Sequence, residues 1–161
     1  MRKVTSFVEK ELPSTSGSSA LSELILTYDE RKKSRFKAET TSGELLGVIL
    51  PRGRVLRGGD LLADEAGALV RIVAAPESLS RVSGDDPRSL TRAAYHLGNR
   101  HMPLQVGDGW LSYQHDHVLD DMVRGLGLQV AMIDAAFEPE EGAYSAHSQG
   151  AAGHGHNSHG H

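Results

Sequence analysis

The 161-residue chain contains no cysteine, and its aromatic side chains amount to one Trp, four Tyr and three Phe. Without thiols there is no disulfide and no thiolate, so any bound metal takes nitrogen and oxygen donors, a set that disfavours Cu(I) and Fe–S clusters. The scarcity of rings leaves little surface for base stacking. A formal net charge of −4 likewise lacks the clustered cations that phosphate contacts require, so nucleic acid is not an expected partner. No apolar run reaches the roughly 18 residues of a membrane span. Met1-Arg2-Lys3-Val4 leads into no signal-peptide core, and a cytoplasmic protein is the expectation. What remains is 39% hydrophobic and 24% charged, enough for one core or two small ones.

Apolar runs and turn formers divide the chain. Val4 to Val8, Leu24 to Tyr28, Arg35 to Thr40, Leu45 to Leu50, Leu61-Leu62 and Leu69 to Ala74 are short strand signals. Between them lie the loop-like Leu12 to Ser19 and turns at Ser42-Gly43, Pro51-Arg52-Gly53, Gly58-Gly59 and Glu65-Ala66-Gly67. Strands at this spacing predict an all-β small barrel or sandwich over residues 1–75. After Pro76 the pattern changes. Ser78 to Val82 reads as a strand, and Asp86 as N-cap with Pro87 at the first helical position opens a helix that Gly98-Asn99 stops. Pro103 to Val106 and Trp110 to Tyr113 flank Gly107-Asp108-Gly109 as a hairpin, a second helix runs from near Asp116 to Gly127, and Leu128 to Ile133 is the last strand. The order β-α-β-β-α-β over residues 76–137 is the ferredoxin-like arrangement, which makes the whole chain α+β. Residues 138–161 have no periodicity and are expected to stay disordered without metal. The basic run Arg31-Lys32-Lys33 with Arg35 reads as a solvated turn, or alternatively as a surface for an acidic partner.

Histidine is the chemistry-bearing residue. Imidazole binds late first-row divalent metals at neutral pH. Four imidazoles, His154, His156, His159 and His161, occupy the last eight residues, with His147 upstream. Gly155 and Gly160 relieve the steric limits within each His-Gly-His pair, so two rings can close on one ion. The interspersed Gly, Asn and Ser distinguish this tract from an uninterrupted purification tag. His96 and His101 are five residues apart, about 500° around a helix, and cannot chelate one ion from a continuous helix. His96 lies in the last helical turn, where a protonated imidazole interacts favourably with the helix dipole. His101 falls beyond the stop, on a connection held by Pro103, where its ring can face outward as a ligand. His115 and His117 straddle a strand end and a helix start. Their rings converge only if the backbone stays extended; if the helix has begun, they diverge, and Asp116 is occupied as its N-cap.

Tyr95-His96-Leu97-Gly98-Asn99-Arg100-His101-Met102-Pro103-Leu104-Gln105, followed by Asp116-His117-Val118-Leu119-Asp120-Asp121-Met122, resembles the signature of the urease accessory protein UreE family, nickel metallochaperones. Arg31-Lys32-Lys33-Ser34-Arg35-Phe36, Leu50-Pro51-Arg52-Gly53 and Val55-Leu56-Arg57-Gly58-Gly59-Asp60 are similar to the family's first domain, so nearly the whole chain is covered. The resemblance implies a peptide-binding-like β domain, a ferredoxin-like metal-binding domain and a homodimer. It implies that His101 pairs with its copy across a two-fold axis to bind Ni(II), with His96, His115 and His117 as peripheral ligands and the terminal histidines as a variable His-rich tail. It also implies delivery to the urease apoprotein assembly complex, with the accessory GTPase UreG as immediate partner, and no catalysis by the chain itself.

Two imidazoles leave a divalent ion with open positions that tail imidazoles, water or a recipient's ligands can fill stepwise, so the expected mechanism is ligand exchange. Each imidazole must be deprotonated to bind, and uptake should weaken below about pH 6.5. Nitrogen donors do not by themselves select Ni(II) over Zn(II) or Cu(II), which the same rings are expected to accept in vitro. The main alternative is a passive histidine-rich metal store. A metallohydrolase would need a third ligand and a general base, and no HExxH-like spacing occurs. An RNA-binding module shares the β-α-β-β-α-β order but needs stacking aromatics that this chain lacks.

Overall fold

Alternation of buried and exposed residues builds the first half of the molecule. The computed structural model describes residues 1–9 and 21–142. Strands β1 (Arg2–Val8), β2 (Ser22–Leu26), β3 (Arg35–Glu39), β4 (Leu45–Ile49), β5 (Leu61–Asp64) and β6 (Leu69–Ala74) form one sheet in the order β2-β6-β5-β1-β4-β3. In β2, Leu24 and Leu26 are buried while Ile25 between them is half exposed. Val4, Leu46, Val48, Leu62, Val70 and Ile72 join them in one core, each contributing about 1.5–3 kcal/mol by leaving water. Two pairs, β1 with β4 and β2 with β6, are parallel. The edge strands approach one another, because Thr41 N donates to Glu23 O at 3.0 Å just past the end of β3. The result is a nearly closed single sheet, so of the two expected architectures the barrel is realised and the two-sheet sandwich is not.

A one-turn helix, α1 (Tyr28–Arg31), interrupts what the sequence suggested was strand up to Tyr28. It is held by a capping box in which Thr27 Oγ1 accepts from Glu30 N while Glu30 Oε1 accepts from Thr27 N. This helix delivers Arg31 into the interior, fully buried. Its guanidinium donates to Leu26 O, Leu56 O, Phe137 O and Glu138 Oε1, the last at 2.7 Å. Burial lowers the Arg31 pKa and the carboxylates of Glu138 and Glu77 oppose that shift. The solvated-turn reading therefore holds for Lys32 and Lys33, which are exposed, and is corrected for Arg31.

The second half follows almost without a break. β7 (Pro76–Ser83) begins two residues after β6 ends, and Ala75 N donates to Leu26 O at 2.8 Å. Then come α2 (Pro87–Asn99), β8 (Gln105–Val106), β9 (Trp110–Gln114), α3 (His117–Gly125) and β10 (Gln129–Ala136), the expected β-α-β-β-α-β connection. The sheet order is β10-β7-β9-β8 with every neighbour antiparallel. Val82, Leu111 and Tyr113 of the sheet pack with Ala93 and Leu97 of α2 and Leu119 and Val123 of α3. The β8–β9 hairpin depends on Gly107, where a Cβ would lie 2.0 Å from the Trp110 ring.

Beyond β10 the chain is tied back to the first sheet, contrary to the expectation that disorder begins at residue 138. Phe137 is buried and meets the Tyr28 ring edge-on at 5.4 Å. Arg57 Nη2 donates to Pro139 O at 2.7 Å and Glu140 N donates to Leu104 O at 2.8 Å. Two arginines of the first half thus hold the polypeptide that leaves the second. The remainder of the expected tail lies outside the described residues.

Candidate metal centre

α2 positions the first two histidines. Asp86 caps it through Oδ1, accepting from Arg88 N at 3.1 Å, while its Oδ2 accepts from Ser89 Oγ at 2.9 Å. These bonds hold the Asp86 carboxyl below the usual carboxylate range, Ser89 first and the Arg88 amide second. Pro87 is at the first helical position, as expected. His96 is half-buried in the last turn, its ring 5.4 Å from Tyr95 in an edge-on contact. The termination differs from the sequence reading. Gly98 and Asn99 remain helical, Arg100 is the C-cap, and His101 takes the left-handed conformation at φ 57°, with its N–H donating to Gly98 O at 3.0 Å. It is the sole non-glycine residue with positive φ among the described residues. α3 ends the same way, but on Gly127 at φ 88° with its N–H donating to Arg124 O. Placing a histidine where glycine is favoured turns the chain sharply and leaves His101 exposed at the helix end.

His115 and His117 are not brought together as an extended pair. His117 is the first residue of α3, and Asp116 is its N-cap, with Oδ1 accepting from Val118 N at 2.9 Å and Leu119 N at 3.2 Å. The helix has begun, so the condition for convergence is unmet and the Asp116 carboxylate is committed to backbone amides. His115 instead continues the β7 pairing through its N–H to Ser78 O at 3.1 Å. Its Nδ1 lies 3.1 Å from Ser80 Oγ and 3.4 Å from Asp120 Oδ2. Tyr113 Oη donates to Asp120 Oδ1 at 2.5 Å. Ser80 and Tyr113 are fully buried and Asp120 nearly so. Burial first, then the Asp120 hydrogen bond and charge, pushes the Tyr113 phenol well above its ordinary range and keeps it a donor.

Ser80, Tyr113 and Asp120 were not identified from sequence. The signal for Asp120 is a carboxylate between Leu119 and Val123 on the buried face of α3, where an unpartnered charge would be costly. His147, His154, His156, His159 and His161 lie outside the described residues. Among the described residues no three His, Asp or Glu side chains form a metal-holding group.

Fold and site together define a two-domain β plus α/β protein that presents histidines at the ends of the second domain's helices. Two family models cover it: UreE urease accessory protein, N-terminal domain, over residues 7–75, and UreE urease accessory protein, C-terminal domain, over residues 77–161. The chain is 57% identical over 124 residues to a urease accessory protein UreE of Pseudomonas putida, covering 76% of this chain and 77% of the relative. It is 56% identical over 131 residues to the UreE of Teredinibacter turnerae, covering 81% and 82%. With the UreE of Proteus mirabilis it shares 50% over 146 residues, covering 89% and 91%. The chain belongs to the UreE urease accessory protein family.

Proposed function

We propose that this chain is a nickel-binding metallochaperone that carries Ni(II) between two copies of itself and delivers it for assembly of the urease dinickel site. The observation that carries the reading is His101, exposed in a left-handed turn at the end of α2. A backbone cost at a solvent-facing histidine makes sense if the ring has a task that glycine cannot perform. Membership of a urease accessory family supplies the context. α2 also exposes the aromatic ring of Tyr95, and α3 the apolar side chain of Val118, surface of the kind a second copy covers. In the proposed homodimer each chain lends one His101 imidazole, and the ion is cargo. Its remaining positions are filled by water or by the peripheral imidazoles of His96, His115, His117, His147, His154, His156, His159 and His161.

Delivery proceeds by ligand exchange to the urease maturation machinery, with the GTPase UreG as immediate recipient and the urease apoprotein complex downstream. No chemical transformation is assigned to the chain, and a cytoplasmic setting suits the partners. Among the described residues no helix is long and apolar enough to cross a membrane. Zn(II) and Cu(II) compete at the same nitrogens.

One observation favours a second reading, passive metal storage: five of the nine histidines fall at or after His147. Calorimetric titration of Ni(II) into the full chain and His101→Ala, paired with sedimentation mass, separates the two. The chaperone reading expects loss of one tight ion per dimer in His101→Ala with the weaker ions retained. Unchanged tight binding in that variant, or a monomer with full affinity, rejects it.

A further inference from the structure

Beneath His115 lies a set of buried polar groups for which the His101 pair has no use. Proton counting orders them. The Asp120 carboxylate can only accept, so the Tyr113 hydroxyl gives its one proton to Oδ1. Asp120 Oδ2 lies 3.4 Å from Nδ1 of His115 and favours a proton on that nitrogen by the same rule. Nδ1 of His115 therefore carries the ring proton and Nε2 keeps its lone pair. In that tautomer Ser80 Oγ, 3.1 Å away, accepts from Nδ1. The side chain remains 34% exposed, so the ring reaches solvent while one edge is anchored.

We propose that Ser80, Tyr113 and Asp120 are positioning residues that set His115 as a divalent-cation ligand acting through Nε2. The inference rests on the reading of the protein as a Ni(II) carrier and deepens it. Among the described histidines, His115 is the one whose ring nitrogen is hydrogen-bonded to a buried side chain of the fold. A ring fixed in tautomer and orientation by a hydrogen-bonded carboxylate is the arrangement that strengthens histidine ligands at metal sites, and its loss weakens them by about 10- to 100-fold. His115 is thus a preset ligand, whereas His101 depends on its copy.

The test is long-range proton–nitrogen correlation of the imidazoles in the full, metal-free chain at alkaline pH, with His115 assigned by His115→Gln. The expected result is an Nδ1–H, Nε2-bare tautomer, opposite to the preference of an unconstrained imidazole. Asp120→Asn removes the charge beside Nδ1 and should return the ring toward Nε2–H. Tyr113→Phe removes the hydrogen bond that holds the Asp120 carboxylate and should raise the Nε2–H share. Titration with Ni(II) alone should broaden the His115 ring signals in the wild type, and in Tyr113→Phe only at about tenfold higher concentration or more. An Nε2–H tautomer in the wild type overturns the proposal, and needs neither Tyr113→Phe nor Asp120→Asn to fold. So does a His115 ring that Ni(II) never broadens, or one equally sensitive in Tyr113→Phe. His101 signals in the same spectra report the interfacial site separately, so failure there counts against the dimer reading and not against His115.

Discussion

At the scale of single residues, the conformation of His101 separates stability from function. An L-residue in the left-handed region costs about 1–2 kcal/mol relative to right-handed helix, and a Cβ is what creates the cost. His101→Ala keeps the Cβ and the strain, whereas His101→Gly removes both. Both variants should lose the tight Ni(II) site equally, but His101→Gly should be the more stable of the two by about 1 kcal/mol, a rise of roughly 2–4 °C in melting temperature. Equal melting temperatures would mean that the turn is not strained. Tyr113 gives a pH prediction. Its phenol titrates higher in the folded protein than its ordinary value of 10, so the folded state holds the proton more tightly. That contribution is fully present below pH 10 and declines as pH rises toward the folded value. The melting-temperature advantage of wild type over Tyr113→Phe should therefore shrink on the alkaline side; a gap constant through that range would show that Tyr113 does not titrate differently on unfolding.

At the scale of elements, caps decide where the histidines fall. Asp116 begins α3 immediately after His115 and so parts it from His117. Asp116→Ala should destabilise the protein by about 1 kcal/mol in urea unfolding, because two amides lose their acceptor. No change in the midpoint would mean that water replaces the cap without cost. The strands and both long helices were legible because alternation, Asp86-Pro87 and Gly127 are local signals. The end of α2 was misplaced for an equally local reason: Gly98-Asn99 is the usual stop, and nothing in the pattern marks His101 as the residue that turns the chain. α1 went unrecognised although Thr27 and Glu30 carry the capping-box spacing, since one turn is too short to show periodicity. The network under His115 joins β7, β9 and α3, and such contacts between separated segments leave no trace in spacing.

At the scale of the whole molecule, the two sheets are joined through Arg31, whose burial no sequence window could show because its partners Phe137 and Glu138 lie more than a hundred residues away. Removing the cation would leave the Glu138 carboxylate without its ion-pair partner and take the donor from the Leu56 and Phe137 carbonyls at the junction. Such a loss at a buried ion pair costs about 3–5 kcal/mol, while an exposed cation in the same run is worth within about 0.5 kcal/mol. Arg31→Ala should therefore lower the urea midpoint sharply, and Lys33→Ala should leave it in place, although the two residues are near neighbours in one basic run. Glu138→Gln should fall between them, because the amide oxygen still accepts from Arg31 while the charge is gone. The junction also governs where the histidine-rich segment can be cut. Ending the chain at Pro139 would delete Glu140 and Glu141, and with them the Glu140 N to Leu104 O bond and the Arg57–Glu141 ion pair at 3.4 Å. Ending it at Gly142 keeps both. Truncation at Gly142 should remove weak Ni(II) equivalents with little change in melting temperature, and truncation at Pro139 should lower both. A fall in melting temperature of the same size from both cuts would place stabilising contacts beyond Gly142 and make the histidine segment part of the fold.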